Sequence, residues 1–377
     1  MMNCNRPSPP KSAAIIGGND DLLMQILLFS PSKSLIRFQL VSKQWHSLIS
    51  APSFRQLHTL RHCHRPKPQP SFLLCSTKSQ LFYFDPTVKK LIPFRFEFPF
   101  VKILQSCNGL LLLEAKYTPY GRKDYYICNP TTMQYRNLMI GRTFSEHLCL
   151  IFDPSKSPHY KVIRFMAKGQ AHSGKEYIID MYESETQTWK HWGKRRVINW
   201  QFHNGVYWNG GMYFIRPCGN SYCFYLQEDQ EIDEWIHTPP RVCTGGKQRN
   251  YSMESNGHLH SITISLQEDK NYLYVFELKK KDLSWFLKYR LDINPIADIF
   301  AGTYRLAGTI LGIVREDKDE DSMFLLFHEP GKIIIYKFHD DSFEVLVDFR
   351  TEDYFEEGRV QFDFNNFYQF IVTLAPV

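Results

Sequence analysis

The sequence contains no run approaching 18 consecutive apolar residues, the length a helix needs to cross the hydrocarbon core. Nothing in it predicts a membrane span. Met1 to Gly18 offer only Ala13-Ala14-Ile15-Ile16 as an apolar stretch, too short for the core of a secretory signal. The expected location is therefore intracellular, cytoplasmic or nuclear. The nine cysteines never form a C-x-x-C pair, which removes the basis for a zinc ribbon or a thioredoxin-like site. Free thiols in a reducing compartment are the simpler reading. Neither a G-x-S-x-G elbow, a G-x-G-x-x-G turn, a Walker loop nor an H-E-x-x-H helix occurs, so the familiar motif-borne routes to catalysis are missing. No catalytic residue, metal ligand or cofactor is assigned. Acidic residues are scarce at one end only: residues 1–70 hold nine Lys and Arg against Asp20 and Asp21, while the remainder nearly balances. A nucleic-acid binder is expected to carry a basic stripe on its large domain. Positive charge confined to a short leading segment points instead to an acidic protein partner, and neither nucleic acid nor membrane is expected to bind.

Aromatic residues, by contrast, are plentiful at 15% of the chain, a load that favours strands. The 377 residues allow two domains, or one large β domain with an appendage. Residues 1–18 read as a flexible tail rich in Pro, Ser, Asn and Gly. Asn19 then caps a helix whose first turn holds Asp20 and Asp21, followed by Leu22, Leu23, Met24, Ile26, Leu27, Leu28 and Phe29. A second helix starts at Ser32 or Ser34, Ser42 caps a third through Trp45 and Ile49, and Ser53 caps a fourth after Pro52. Helices this short cannot bury so many apolar residues against each other, so part of that surface is expected to meet another protein, the alternative being docking onto the chain's own C-terminal domain. Residues 58–70, with Pro66, Pro68 and Pro70 in alternation, read as a stiff linker. His58, His62, Cys63 and His64 lie in it, but no second ligand cluster accompanies them to make four donors.

The stretch Asp20 to Leu27, with Pro31, Lys33 to Phe38, Val41 to Trp45 and Leu48 to Phe54, resembles an F-box, in particular the plant type that precedes an F-box-associated β domain. The pattern departs from that family where Gly18-Asn19 replace its opening Leu-Pro and Phe29-Ser30 replace the Arg-Leu before its proline. The resemblance implies docking to the acidic Skp-family adaptor and, through it, to a cullin scaffold. Leu22, Leu23, Ile26, Leu27, Pro31, Leu35, Val41 and Trp45 are then expected to line the adaptor interface or its immediate support.

Past residue 70 an aromatic strand followed by a turn recurs, ending near Asp85, Asn129, Glu183, Gln227, Glu277 and Glu329, at spacings of 44 to 54 residues. Upstream of four of these lies a glycine opening an apolar strand: Asn108-Gly109, Asn204-Gly205, Asn256-Gly257 and Ala307-Gly308. Four strands per blade need roughly 40–50 residues, so residues 71–377 predict a six-bladed β-propeller, with seven blades or an irregular sandwich as alternatives. Phe152-Asp153-Pro154-Ser155 reads as an extra hairpin between repeats, which makes blade three long or irregular. Ser106 to Leu111, Cys128 to Thr132, Phe152 to Ser155, Tyr160 to Ile163 and Gly205 to Gly210 also look like signatures of the plant F-box-associated domain. His258 and His260 alternate on a strand and read as a satisfied pair rather than a metal site.

The domains expected are thus a tail (1–18), F-box helices (19–57), a linker (58–70) and a propeller-like domain (71–377). The resemblance implies a substrate-recognition subunit of an SCF-type (Skp adaptor–cullin–F-box) ubiquitin ligase, without catalysis of its own. The alternative is a stand-alone propeller that binds peptide or glycan. Target contacts are expected in loops between repeats, 114–124, 166–176, 216–222 and 240–250. Tyr117, Tyr120, Arg122, Arg216 and Arg241 are the candidates there, because Tyr and Arg dominate binding hot spots.

Overall fold

A computed structural model of the chain describes residues 15–62, 71–76, 80–85, 89–96, 101–116, 123–140, 146–171, 174–197, 205–216, 221–226, 231–242, 247–266, 271–294, 309–315, 322–329, 332–348 and 362–377. Four short helices come first. Helix α1 (Asp20–Leu27) starts where Asn19 Oδ1 accepts from the backbone N–H groups of Asp21 and Leu22, at 3.0 and 3.1 Å. Helix α2 (Ser32–Phe38) follows an extended Pro31. Helix α3 (Lys43–Ser50) is capped by Ser42, whose Oγ accepts from Trp45 N–H at 3.1 Å. Local capping chemistry made the starts of α1 and α3 predictable.

The fourth helix differs from expectation. Helix α4 runs Pro52–His62, so Pro52 opens it and Ser53 lies inside it. Proline suits a first helical position, where the missing N–H would have no partner anyway. The helix also continues through 58–62, with His58 and Thr59 buried; these residues belong to the helical unit and not to a linker. The end of the expected tail is likewise tied down: Gln44 Nε2 donates to Gly17 O at 2.9 Å and to Asp20 Oδ1 at 2.7 Å.

The rest is a ring of six four-stranded antiparallel sheets. Strands β1 (Ser71–Ser76), β2 (Leu81–Asp85) and β3 (Lys90–Phe94) form three-quarters of blade 1. Blade 2 holds β4 (Val101–Cys107), β5 (Leu110–Lys116), β6 (Lys123–Asn129) and β7 (Gln134–Asn137). Blade 3 holds β8 (Glu146–Ile151), β9 (Lys161–Ala171), β10 (Gly174–Glu183) and β11 (Thr188–Val197). Blade 4 holds β12 (Val206–Trp208), β13 (Gly211–Phe214), β14 (Ser221–Leu226) and β15 (Glu231–Ile236). Blade 5 holds β16 (Lys247–Ser255), β17 (His258–Leu266), β18 (Tyr272–Leu278) and β19 (Trp285–Asp292). Blade 6 holds β20 (Thr309–Arg315), β21 (Met323–Glu329), β22 (Lys332–Lys337) and β23 (Ser342–Asp348). The last strand, β24 (Phe362–Phe370), pairs antiparallel with β1 as the innermost strand of blade 1. The ring is therefore closed by the two ends of the β domain, as an open sheet edge would otherwise be a template for aggregation.

Each blade is sandwiched between two others, which explains why its middle strands are apolar on both faces. Every residue from Leu259 to Ser265 in β17 is buried, as is the run Leu110 to Leu113 in β5. Six apolar cores fill the six wedges between neighbouring blades. One joins Phe72, Phe84 and Leu91 of blade 1 to Leu326, Ile333 and Val347 of blade 6; another joins Phe165 of blade 3 to Met212, Phe214 and Phe224 of blade 4. Polar side chains stitch the same wedges. Gln105 bridges to the inner strand of blade 3, Nε2 donating to Leu150 O at 2.9 Å and Oε1 accepting from Leu150 N–H at 2.7 Å. The indole N–H groups of Trp189 and Trp285 donate back to the preceding blade, to Leu138 O and His237 O, both at 2.7 Å.

The repeat is real but two of its marks sit elsewhere. Five of the six aromatic elements fall on the third strand of a blade, β2, β6, β10, β14 and β18, whereas Leu326 to Glu329 lie on β21, a second strand. The positive-φ Asn-Gly turns join first to second strands at Asn108-Gly109, Asn209-Gly210 and Asn256-Gly257. In blade 4 the turn is thus Asn209-Gly210, five residues beyond Asn204-Gly205; Ala307-Gly308 lies outside the described residues. The segment Phe152 to Ser155 is the corresponding connection of blade 3, between β8 and β9, and not an extra hairpin.

A four-stranded meander has two ends. Its first-to-second and third-to-fourth turns open on one face of the ring, called here the lower face; its second-to-third hairpins and the links between blades open on the upper face. The helical unit sits on the lower face beside blades 1 and 2. Lys33 Nζ lies 3.8 Å from Asp85 Oδ2 at the end of β2, and the Arg55 guanidinium donates to the Gln134 side chain at the start of β7. After β24 the chain turns under blade 2, where Asn129 Nδ2 donates to Thr373 O at 3.1 Å and Ala375 O at 2.8 Å. Leu374 then inserts into the helical core with Leu23, Leu27, Leu35, Ile49 and Phe54.

Gly109 has φ +91°, and a Cβ there would stand 2.5 Å from Ile371 O and from Thr373 Cγ2. The variant Gly109→Ala is expected to lose about 1–3 kcal/mol by prising the tail off blade 2, seen as a lowered denaturation midpoint. Truncation after Asp348 removes the closing strand, and the product is expected to aggregate; a soluble monomer with an unchanged midpoint would refute the role given to β24.

Candidate functional site

Two surfaces and one buried cluster stand out. On the helical unit, the expected adaptor residues divide by helix face. Leu23 (3% exposed), Leu27 (1%) and Leu35 (0%) are interior, so they build the helical core and do not present themselves to a partner. Of the eight residues expected to line the adaptor interface or its immediate support, these three can only serve as support. Leu22 (41%), Ile26 (51%) and Val41 (62%) are exposed, as is Pro31, while Trp45 is half-buried against Phe38, ring centres 5.4 Å apart. Leu22 and Ile26 are four apart and share one face of α1. Phe29, Leu40 and Leu57 are also exposed and were not singled out from the sequence.

His58 and His62 stack at 4.0 Å, and each places Nε2 at 2.9 Å from a carbonyl at the end of α1, Ser30 O and Leu28 O respectively. A carbonyl oxygen only accepts, so each Nε2 carries the proton and serves as a cap. Cys63 and His64 lie outside the described residues. Among the described residues no cluster of three His, Cys, Asp or Glu side chains is placed to hold a metal, and no helix is long and apolar enough to cross a membrane.

The second surface is a channel along the ring axis. Its upper mouth is a cavity of about 650 Å³ lined by Arg216, Pro239, Pro240, Arg241, Tyr251 and Phe367, among others. Its lower mouth, about 460 Å³, is lined by Asn108, Asp153, Tyr207, Trp208 and Lys280. Ser252, Met253, Glu254, Phe367 and Gln369 line both. The structure thus brings together Arg216, which follows β13, and Arg241, which precedes β16, although 25 residues separate them in sequence. Tyr117, Tyr120 and Arg122 lie outside the described residues. Of the four expected loops, only 240–250 falls between blades; 114–124, 166–176 and 216–222 span second-to-third hairpins within blades 2, 3 and 4, and β9 and β10 occupy most of 166–176. All four nevertheless open on the upper face.

The buried cluster centres on Glu277. His258 Nδ1 lies 2.7 Å from its Oε1, and Lys288 Nζ and Arg315 Nη1 lie 2.9 and 3.4 Å from its Oε2. His260 Nε2 is also 3.4 Å from Oε2. Burial by itself raises the Glu277 pKa, but hydrogen bonds from His258 and Lys288 and the nearby positive charge outweigh it and hold the carboxyl well below the carboxylate range. Burial dominates at His260 and lowers its pKa, so the fold disfavours its protonated form. The cluster pins blade 5 to Arg315 of blade 6.

Comparison with known proteins joins the two surfaces. The sequence model of the F-box domain matches residues 19–57, and that of the F-box associated beta propeller domain matches residues 44–228. F-box protein At5g07610 of Arabidopsis thaliana is 32% identical over 421 residues, spanning 97% of this chain and 94% of that protein. The chain belongs to the F-box protein family. F-box protein At5g49610, also of Arabidopsis thaliana, is 29% identical across 65% of this chain and 72% of its own length. Among solved structures, a putative 6-phosphogluconolactonase from Bacteroides uniformis is similar over 78% of this chain and 97% of that one, at 8% identity and a TM-score of 0.38, too loose a likeness to argue from. The helices α1 to α4 are thus the F-box, and the six blades are the F-box-associated propeller, of which the matched segment ends shortly after β14.

The Glu277 cluster makes stability depend on pH. His260 binds its proton less readily when folded than when unfolded, where it is taken up below about pH 6.5; Glu277 stays ionised when folded and is protonated below about pH 4.3 when unfolded. In both cases the unfolded chain binds more protons, so stability falls as pH falls. The denaturation midpoint is expected to drop from pH 7.5 to 5. Glu277→Gln leaves Lys288 and Arg315 without their buried counter-charge and is expected to cost about 3 kcal/mol at pH 7.5. Equal midpoints for variant and wild type would contradict the structural role.

Proposed function

We propose that the protein is a substrate-recognition subunit of an SCF-type ubiquitin ligase. Its F-box docks a Skp-family adaptor and, through it, a cullin; its propeller holds a target protein. The observation that carries the reading is an F-box whose core is complete without the adaptor yet leaves Leu22, Ile26 and Val41 exposed, attached to a ring that presents a cationic cavity on its opposite face. Ubiquitin transfer needs no chemistry from such a subunit. Holding the target beside the charged carrier makes the step effectively intramolecular.

The division of the F-box leucines tells which variants test docking. Leu27→Ala with Leu35→Ala deletes core, at about 2–5 kcal/mol each, and is expected to unfold the helices whether or not an adaptor binds. Leu22→Asp with Ile26→Asp alters only exposed positions. Co-expressed with a Skp-family adaptor, the full-length wild type is expected to retain it. The surface variant is expected to lose more than about a hundredfold in affinity while its denaturation midpoint holds. Wild type that retains no adaptor would sink the receptor reading and favour a stand-alone propeller module. A surface variant that retains adaptor like wild type would move the interface elsewhere on the helices.

A further inference from the structure

Resting on the receptor reading above, we infer that the upper mouth of the axial channel is the target site, and that it takes an extended acidic peptide with one large apolar residue among its Asp or Glu side chains. The position comes first. The F-box occupies the lower face, where Lys33 meets Asp85, Arg55 meets Gln134 and Leu374 enters the helical core. A target seated in the upper mouth meets the opposite end of the ring and does not compete with the adaptor.

Charge then selects the ligand. Among the described residues lining the upper mouth the charged ones are Arg216, Arg241 and Glu254. Glu254 Oε1 accepts from Gly257 N–H at 2.6 Å, and Gly257 belongs to a lower-face turn that lines the lower mouth. The carboxylate is thereby drawn down the channel, and two guanidinium groups line the upper mouth. These are planar forks that match carboxylates two bonds at a time. Substituting the Arg216 side chain leaves its backbone N–H free to keep donating to Ser221 Oγ, at 3.1 Å, so the charge can be changed without unpicking the hairpin.

Shape completes the argument. Blades wall the cavity on its sides, and about 650 Å³ suits a few side chains and not a folded surface. Pro239 and Pro240 make one wall rigid, and Ile310, Ile313 and Phe367 supply an apolar floor. Gly312 keeps that floor compact: a Cβ there would stand 2.6 Å from the Phe367 ring. An extended peptide that enters end-on can therefore set one apolar side chain on the floor and its acids against the arginines.

The test uses the full-length protein purified with its adaptor, and an immobilised array of 12-residue synthetic peptides of Asp, Glu, Leu and Gly. Each has a counterpart with Asn and Gln in place of the acids. Wild type is expected to hold the acidic peptides about tenfold more tightly than their amide counterparts. Arg216→Gln with Arg241→Gln is expected to erase that preference, and Arg216→Glu with Arg241→Glu to transfer it to a Lys-containing array, adaptor retention and denaturation midpoint being unchanged. Equal retention of acidic and amide peptides by wild type, or an unaltered preference in the double variants, would overturn the inference. Adaptor retention is read from the same preparation, so failure of the receptor reading shows itself separately from failure of this site.

Discussion

The pairing of β24 with β1 is the contact on which the rest of the molecule depends. Those strands come from the two ends of the β domain, and Ser71 sits opposite Phe370 in their register. Until they meet, blade 1 lacks its inner strand, and the wedges on either side of it lack Phe367, Tyr368 and Phe370. Closing a loop of such length costs little more than closing one half as long, because the entropic term grows only logarithmically. What the pairing gains is the filling of two wedges and the removal of every long sheet edge at the ring's seam. The same segment then continues to Leu374, so ring closure and the seating of the F-box are consecutive acts of one stretch of chain.

That continuity has a functional consequence. Two domains joined only by a linker would sample many relative orientations, as inter-domain contacts generally permit. Here α4 extends through His62, and a residue from the opposite end of the chain completes the core of the F-box. Asn129 fixes the tail on both sides of Leu374, through Thr373 O and Ala375 O. The direction in which the upper face points is thereby set relative to α1. For a receptor that works by proximity, a fixed direction raises the effective concentration of target near the transfer site.

Much of this was legible in the sequence where the governing physics is local. Asn19 and Ser42 announce helix starts because a capping side chain sits within three residues of the N–H it serves. The six blades follow from spacing because each blade is one meander of similar length. The misreadings have physical causes of their own. Asn204-Gly205 and Asn209-Gly210 are equivalent as dipeptides, and only the pairing of Trp208 with Gly211 decides which is the turn. Blade 6 slipped by one strand because β21 and β22 are both apolar on both faces, so the aromatic mark could not tell second from third. Leu374 carried no signal at all, since its partners lie more than 300 residues away. The same is true of the approach of Arg216 to Arg241, which the curvature of the ring produces and no local pattern encodes.

Charge needed the structure most. The positive excess of the first 70 residues suggested an acidic partner, yet part of that excess is answered inside the chain. Arg55 is buried, its Nε donating to Ile49 O and its terminal nitrogen to Gln134. The Arg61 guanidinium lies 3.8 Å over the ring of Phe29, which keeps its charge but fixes its place. Lys33, 64% exposed, faces Asp85 at 3.8 Å, a contact that solvent screens to little energetic worth and that leaves the ammonium accessible. Arg37 and Lys43 are exposed. The exposed positive charge on the described helices therefore comes from Lys33, Arg37, Lys43 and Arg61, on the same unit as the exposed Leu22, Ile26 and Val41. Such rim charges steer encounter and set its salt dependence, whereas the apolar side chains supply the burial that holds the complex once formed.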